Sequence, residues 1–428
     1  MKYYLVTILA LMLFGVPAVS SRFGGEVDYV AQIFSQATEQ LAAVILSHNP
    51  KTVADIKSRY TSPIVQVASI NDKSIHNKVR ILIVPGHEPN YGGAEYSSLK
   101  ERDMTVELAQ DLAGFLEKDT HYEVFVTRDG NDWSPIFAEY FKNNWQNIID
   151  WQAGSAQDIA HRISSGTVVP PTKTVYHNKA PSNVAYRLYG ITKWANENDV
   201  DITIHIHFND APGHGSRTPG DHTGFAIYIP ERQYANSATS KVVAETIFKR
   251  LSKYNPVSSL TGESAGIVED PDLIAIGAHD TADAASMLIE YGYIYEPQFL
   301  NAGTRDLAIK DLAFQTYLGL EDFFSAPDAA AVSRAYDTVA LPHTWKSVIS
   351  EKNTQNTDVF ALQSALLVDG EYPPYARDLS DCPRTGKLGP CTQTALQQFQ
   401  KKYSISGETN IVGQRTMQIL NTNYGISF

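Results

Sequence analysis

The chain has 428 residues, of which 43% are hydrophobic and 19% charged, and its formal net charge is -12. These values are typical of an acidic globular protein with one large domain and room for a smaller one. The acidic balance and the absence of any Lys/Arg cluster argue against nucleic acid as a partner.

The N-terminus has the pattern of an export signal. Lys2 precedes an apolar run from Tyr3 to Val16, and small residues such as Ala18 and Ser20 follow at the spacing that a signal peptidase needs. The run is shorter than the roughly 20 apolar residues of a membrane span. We therefore expect residues 1–20 to be a cleaved signal peptide, with an uncleaved anchor as the alternative. The mature protein is expected to lack a stable transmembrane segment and to be periplasmic or extracellular.

The pattern of apolar residues predicts the fold class. Residues 21–78 are predicted to be a helical region, and from residue 79 to 325 strands and helices alternate. Strands are predicted over 79–84, 122–128, 200–208, 224–230 and 286–293, and helices over 101–118, 184–198, 237–254 and 304–324. Such alternation favours an α/β domain, with a mostly parallel sheet flanked by helices.

An insertion is predicted over about residues 130–181, because this segment is too long for a simple connection. Its aromatic and aliphatic residues recur at helical spacing at Phe137, Phe141, Trp145 and Ile148. Packing of this stripe on the body of the domain is the favoured interpretation. A lid or a sugar-facing wall beside an active site is the alternative.

The C-terminal part is predicted to be a linker over residues 326–352 and a small three-helix module over 353–424. The module contains both cysteines of the chain, Cys382 and Cys391. They do not form a Cys-x-x-Cys pattern, and two ligands are too few for a closed zinc site. In an exported protein a local disulfide is expected, with two free thiols as the alternative.

Imidazole and carboxylate groups stand at the positions where an α/β sheet places its site, the carboxyl ends of the strands. The candidates, read from the predicted elements, are His87, Glu101, His205, His207 and Glu290. A zinc hydrolase typically takes three His or Asp/Glu ligands and leaves one position for water. Together these residues predict a metal-ligand set and a base on successive elements of one sheet.

Each candidate also has a purely structural interpretation. A histidine at a strand end is commonly a hydrogen-bonded structural residue, and Glu101 could interact only with the helix dipole. Glu290 is harder to explain in this way, because it lies in an otherwise apolar strand and an unpaired buried carboxylate is costly.

Four short motifs, in order along the chain, resemble those of zinc-dependent N-acetylmuramoyl-L-alanine amidases. They are Val84-Pro85-Gly86-His87-Glu88, Glu101-Arg102-Asp103, His205-Ile206-His207-Phe208-Asn209 and Ile289-Glu290-Tyr291-Gly292-Tyr293. The resemblance covers residues 79–325. Three departures stand out: Val84 replaces an acidic residue, Pro89 replaces a glycine and His205 replaces a serine.

The resemblance implies one zinc ion held by His87, Glu101 and His207, with Glu290 as the catalytic acid/base. His205 is then an alternative ligand or a neighbour of the ligands. The implied reaction is hydrolysis of the amide between N-acetylmuramic acid and L-alanine in peptidoglycan. A zinc peptidase acting on stem peptides and a non-catalytic wall-binding protein are the alternatives. A protein activator is left open.

The C-terminal module resembles peptidoglycan-binding domains of the three-helix type. The family phrase Gly-Pro-x-Thr is matched by Gly389-Pro390-Cys391-Thr392 and again by Gly413-Gln414-Arg415-Thr416. The resemblance implies peptidoglycan as the partner of both parts of the chain and a cell-wall-associated protein.

Overall fold

The computed structural model describes residues 49–62, 78–173, 175, 177, 179–325, 339–350 and 354–425. The expected signal peptide, residues 1–20, and residues 21–48 and 63–77 of the expected helical region lie outside the described residues. No helix within these ranges has both the length and the apolar character needed to cross a membrane.

A six-stranded sheet forms the centre of the large domain. Its strands are β1 (Val79–Pro85), β4 (Tyr122–Val126), β5 (Ile202–Asn209), β6 (Ala226–Pro230), β7 (Ile267–Asp270) and β8 (Ala285–Tyr293). The short strands β2 (Glu95–Tyr96) and β3 (Leu99–Lys100) form a separate hairpin. The order in the large sheet is β4-β1-β5-β8-β6-β7. All neighbouring strands run parallel except β6, which is antiparallel to β8. The predicted α/β fold with a mostly parallel sheet is therefore confirmed, and the sheet is mixed.

Helices cover both faces of this sheet. In chain order they are α1 (Val53–Thr61), α2 (Glu101–Leu116), α3 (Pro135–Ser164), α4 (Ser182–Glu197), α5 (Ser237–Tyr254), α6 (Pro297–Leu300), α7 (Ala302–Ser325), α8 (Thr357–Asp369), α9 (Pro390–Lys402) and α10 (Gln414–Tyr424). Helices α2, α5 and α7 bury their apolar faces against one side of the sheet, and α3 and α4 cover the other. Because strand side chains alternate, Ile81 and Ile83 face the first layer while Leu82 and Val84 face the second.

The segment predicted to be an insertion contains the long helix α3. Its side chains Phe137, Phe141 and Ile148 pack in one cluster with Leu82 and Val84 of β1. The aromatic stripe thus lies on the body of the domain, as the favoured interpretation has it. This packing also explains why Val84, where the family motif has an acidic residue, is apolar: its side chain is buried under α3.

Helix α1 packs at the amino ends of the strands, far from the residues of the motifs. Arg59 of α1 donates to the carboxylate of Asp201 at 3.1 Å and also contacts Asp199. Asp201 is fully buried and accepts the main-chain N–H of Arg80 at 2.8 Å. This network fixes α1 to the edge where β1 and β5 begin.

The C-terminal module has its own apolar core, formed by α8, α9, α10 and the segment before them. Cys382 and Cys391 are joined by a disulfide. Residues 339–350, which the sequence places in a linker, contribute Trp345 to this core, and its indole N–H donates to the carbonyl of Asp358 at 2.9 Å. The module also contacts the large domain, where Gln355 donates to the carbonyl of Pro297 at 2.9 Å.

Candidate active site

The first motif forms a turn at the carboxyl end of β1. His87 has a φ of 70°, a left-handed conformation that costs a residue with a side chain about 1–2 kcal/mol. Gly86 precedes it, and a Cβ at that position would lie 2.5 Å from the imidazole Cε1 of His207. The Pro-Gly-His sequence therefore allows two imidazoles to meet where a larger residue would separate them.

Glu101 is the first residue of α2 and is held on both carboxylate oxygens. Oε2 accepts the main-chain N–H of Ala94 at 2.8 Å, and Oε1 accepts that of Phe208 at 3.1 Å. The β2–β3 hairpin supplies this geometry, since it returns the chain from His87 to the start of α2. Glu101 is thus buried and oriented before any ligand binds.

His87, Glu101 and His207 form one cluster, in which one donor atom from each residue lies within 4.8 Å of the others. His87 Nε2 is 2.8 Å from Glu101 Oε1, and His207 Nδ1 is 3.0 Å from the same oxygen. Among the described residues, His87 Nε2 nevertheless has no partner in hydrogen-bonding geometry. Two nitrogens and one oxygen that converge in this way suit a shared cation better than a hydrogen-bond network.

The charge states of the cluster also suit a metal. Burial raises the pKa of Glu101, but the imidazoles of His87 and His207 outweigh it, so this pKa lies well below its ordinary value. Burial lowers the pKa of His207, although its hydrogen bond to Glu101 opposes the shift. An anionic carboxylate and a neutral imidazole are the forms that bind metal ions.

His205 lies outside this cluster. It pairs with Val84 and Leu288 in the sheet, two residues before the pairing of His207 with Glu290. It is buried, and neither ring nitrogen has a hydrogen-bond partner in the part of the chain that the structure describes. Burial lowers the pKa of His205 to about 3, so the ring is neutral. The structure therefore brings His207, and not His205, to the other candidate ligands.

Glu290 stands beside the cluster on β8, directly across from His207 in the sheet register. Its Oε2 is buried without a hydrogen-bond partner among the residues described. Burial and then the charges of Glu101 and Glu263 raise the pKa of Glu290 well above its ordinary value. A carboxyl group with a raised pKa next to a candidate metal site can accept and return a proton.

Residues 81–321, more than half of the chain, match the model of the N-acetylmuramoyl-L-alanine amidase family. The chain belongs to this family. The amidase therefore hydrolyses the amide bond between N-acetylmuramic acid and L-alanine in peptidoglycan, the reaction that the sequence motifs imply. No curated protein sequence matches the amidase.

Several solved structures are similar to the amidase. An N-acetylmuramoyl-L-alanine amidase from Clostridium difficile 630 is 18% identical, covers 59% of this chain and 100% of its own, and has a TM-score of 0.37. The CwlD amidase from Clostridioides difficile, solved with the GerS lipoprotein, is 16% identical, with 58% and 99% covered and a TM-score of 0.39. AmiC2 of Nostoc punctiforme is 16% identical, with 57% and 95% covered and a TM-score of 0.34.

One buried carboxylate of the amidase that the sequence analysis did not identify is Glu263. Its Oε1 accepts the amide of Asn209 at 2.9 Å and the hydroxyl of Tyr228 at 2.5 Å. Its Oε2 accepts the hydroxyls of Ser258 and Tyr293. Glu263 belongs to a 3₁₀ turn, Thr261–Glu263, in a connection without any periodic pattern. No signal in the sequence therefore marks it.

A second unexpected contact links the segment after His87 to α4. Glu88 is buried, and its Oε1 lies 3.0 Å from Nη1 of Arg187. The guanidinium of Arg187 in turn lies 5.8 Å from the ring of Trp145 on α3. The insertion thus contacts the neighbourhood of the site through Arg187 while α3 itself packs on the sheet.

Proposed function

We propose that the amidase works with one zinc ion, held by His87, Glu101 and His207. The observation that carries this proposal is the convergence of three donor atoms within 4.8 Å. His87 Nε2 supports it further: it lies 2.8 Å from Glu101 Oε1 without hydrogen-bonding geometry, and a buried nitrogen that makes no hydrogen bond would otherwise be costly. Two imidazoles and one carboxylate form a donor set typical of zinc hydrolases, with a position left open for water.

We assign Glu290 as the catalytic acid/base. A bound zinc ion polarises the carbonyl oxygen of its substrate and lowers the pKa of water. Glu290 takes the proton of the attacking water and then delivers it to the leaving nitrogen of L-alanine, so that the amine departs neutral. Its raised pKa favours the first transfer, the uptake of the proton, and its position opposite His207 places it beside the ligands.

The test is to replace Glu290 with Gln. Release of stem peptide from purified cell wall is expected to fall at least a hundredfold, because general acid–base catalysis contributes about 10²–10⁴-fold. The zinc content of the purified protein should stay at one ion per chain. Matched variants, His87→Ala and His207→Ala, should lose the zinc itself. Retention of full activity in Glu290→Gln, or a wild-type protein without zinc, would overturn the proposal.

Identification of the products separates amidase activity from peptidase activity. The amidase releases stem peptides with a free L-alanine N-terminus, whereas a peptidase acting within the stem leaves L-alanine on the glycan. Mass spectrometry of digested wall distinguishes the two. The family match favours the amidase over this alternative and over a non-catalytic wall-binding protein.

The C-terminal module, residues 353–424, is proposed to bind peptidoglycan and residues 79–325 to form the catalytic domain. Support comes from the two Gly-x-x-Thr phrases, which open α9 and α10 at Gly389 and Gly413. Export and association with the cell wall are part of the same proposal, and the disulfide between Cys382 and Cys391 is consistent with an oxidising compartment. The same proposal leaves room for a protein that activates the amidase; the CwlD structure was solved with a second protein, the GerS lipoprotein, bound to it.

A further inference from the structure

Arg128 is a fully buried cation at the carboxyl end of β4, only 2% exposed. Its Nη2 donates to the carbonyl oxygens of Gly86 and Arg102, the second at 3.0 Å. Nε donates to the carbonyl of Pro85 at 3.3 Å, and Nη1 to that of its neighbour Asp129 at 2.9 Å. No carboxylate in the described ranges lies within ion-pair distance of this guanidinium.

The two carbonyls that share Nη2 belong to the two segments that carry the candidate ligands. Gly86 comes directly before His87, and Arg102 comes directly after Glu101. Hydrogen bonds from one nitrogen hold these two oxygens at most about 6 Å apart. Thr105 closes the same arrangement, since its hydroxyl lies 3.2 Å from Nη2 and 3.1 Å from the carbonyl of Arg102.

We propose that Arg128 is a positioning residue that fixes the separation between the segments bearing His87 and Glu101. The proposal rests on the zinc site proposed above. His87 has a left-handed backbone, which persists only where its surroundings determine it. The guanidinium supplies that constraint by holding the carbonyls of Pro85 and Gly86, the two residues before His87.

Electrostatics alone predicts that Arg128 weakens zinc binding, whereas a positioning role predicts that it strengthens zinc binding. The two can therefore be told apart by measuring zinc affinity. A fixed positive charge beside a cation site repels the ion, so removing the charge should tighten zinc binding. A positioning role predicts weaker zinc binding when the guanidinium is lost, since residues that orient ligands typically contribute 10–100-fold in affinity.

The experiment measures the zinc dissociation constant of the full chain by competition with a chromogenic chelator. Arg128→Lys keeps the charge but loses the planar fork, and Arg128→Met loses both. Both are expected to raise the dissociation constant at least tenfold. Thr105→Val retains Arg128 and removes only the bridging hydroxyl, so a rise of a few fold is expected. This milder variant also keeps the test decisive where the arginine variants do not fold.

Arg80 provides the matched control at the other end of β1. It is also buried, and it contacts Glu123 at 2.8 Å and the carbonyl of Asn198 at 2.5 Å. Arg80→Lys is expected to lower the free energy of unfolding without changing zinc affinity. Unchanged or tighter zinc binding in folded Arg128→Lys and Thr105→Val would overturn the inference while the zinc site stands. A wild-type protein that binds no zinc would overturn the zinc site itself.

Discussion

Arg384 of the C-terminal module and Asp311 of α7 form a buried ion pair, with 2.8 Å between Nη1 and Oδ2 and side-chain exposures of 1% and 2%. Arg384 also donates to the carbonyl of Tyr254 at 2.8 Å. Its guanidinium lies over the rings of Tyr254 and Phe360, 4.9 and 4.8 Å from their centroids. One side chain thus joins α5, α7 and α8, and it seats the module on the large domain.

Replacing Arg384 with Met is expected to destabilise the protein by about 3–5 kcal/mol, because Asp311 is left charged and buried without its partner. Unfolding in urea, for which we expect one joint transition in wild type, should separate into two transitions, with the module unfolding first. The control is Arg377→Met, since Arg377 lies 3.9 Å from Asp381 and is 59% exposed. That variant should behave like wild type. A single unshifted transition for Arg384→Met would show that the ion pair does not couple the two parts.

Gly86→Ala is expected to disable the site with little loss of folding. The added Cβ would lie 2.5–2.8 Å from three imidazole atoms of His207, so that ring must move away from Glu101. We expect loss of zinc and of activity, while circular dichroism stays native-like. The control is Gly114→Ala on α2, where a Cβ meets nothing within 4 Å. This change should stabilise the protein by about 1 kcal/mol. Native zinc affinity in Gly86→Ala would contradict the packing argument.

Asp201 gives a pH dependence of stability that can be isolated by substitution. Burial raises the pKa of Asp201 to about 6, although Arg59 opposes the shift. The native state therefore binds a proton that the unfolded chain does not bind between about pH 6 and pH 4, so stability rises as pH falls through this window. The free energy of unfolding of wild type relative to Asp201→Asn should increase by on the order of 2–3 kcal/mol from pH 7 to pH 4.

The neighbouring Asp199 provides a control of opposite sign. Hydrogen bonds to Lys51 and Arg59 outweigh burial and lower the pKa of Asp199. Its contribution to stability is present above its unfolded pKa and is lost as pH falls. Wild type relative to Asp199→Asn should therefore lose stability towards low pH. If both differences change in the same direction with pH, this account of the two carboxylates is wrong.

The disulfide is expected to support the seating of the module as well as its core. The loop from Cys382 to Cys391 includes Arg384, so reduction frees the segment that carries the buried guanidinium. Replacing both cysteines with Ser should lower stability by about 2–3 kcal/mol on the chain-entropy model. In a variant that also carries Arg384→Met, the loss of unfolding free energy should be smaller than the sum of the two separate losses, because both changes act on the same segment. If the two losses of unfolding free energy, measured in urea, are fully additive, the disulfide loop does not support the contact that Arg384 makes with the large domain.

The alternation of strands and helices was readable from the sequence because burial on the two faces of a sheet imposes regular apolar patterns. The helix over 237–254 coincides with α5, and the strand over 286–293 differs from β8 by one residue. The antiparallel direction of β6 was not readable, since a buried strand has the same apolar pattern in either direction. The short strand β7 was also missed.

The candidate ligands could be anticipated because four motifs that carry His or Glu occur in order, at strand ends and at the start of a helix. The resemblance favours His207 over His205 as the ligand, whereas the strand pattern alone leaves both open, since both side chains point to the same face. In the fold His207 lies 3.0 Å from Glu101. No motif and no apolar periodicity in the sequence marked Arg128 or Glu263. Each owes its importance to partners distant in sequence, such as Gly86 for the first and Asn209 for the second.

The seat that Arg384 provides has a consequence for how a polymer reaches the active site. A module on a free tether raises local concentration and leaves the orientation of the substrate open. In the proposed role of the module as a peptidoglycan-binding domain, the seated module keeps a fixed position relative to Glu290, so a glycan strand bound to it would pass Glu290 at a constant angle and offset. Cleavage along such a strand is then expected to follow a regular spacing instead of a random one.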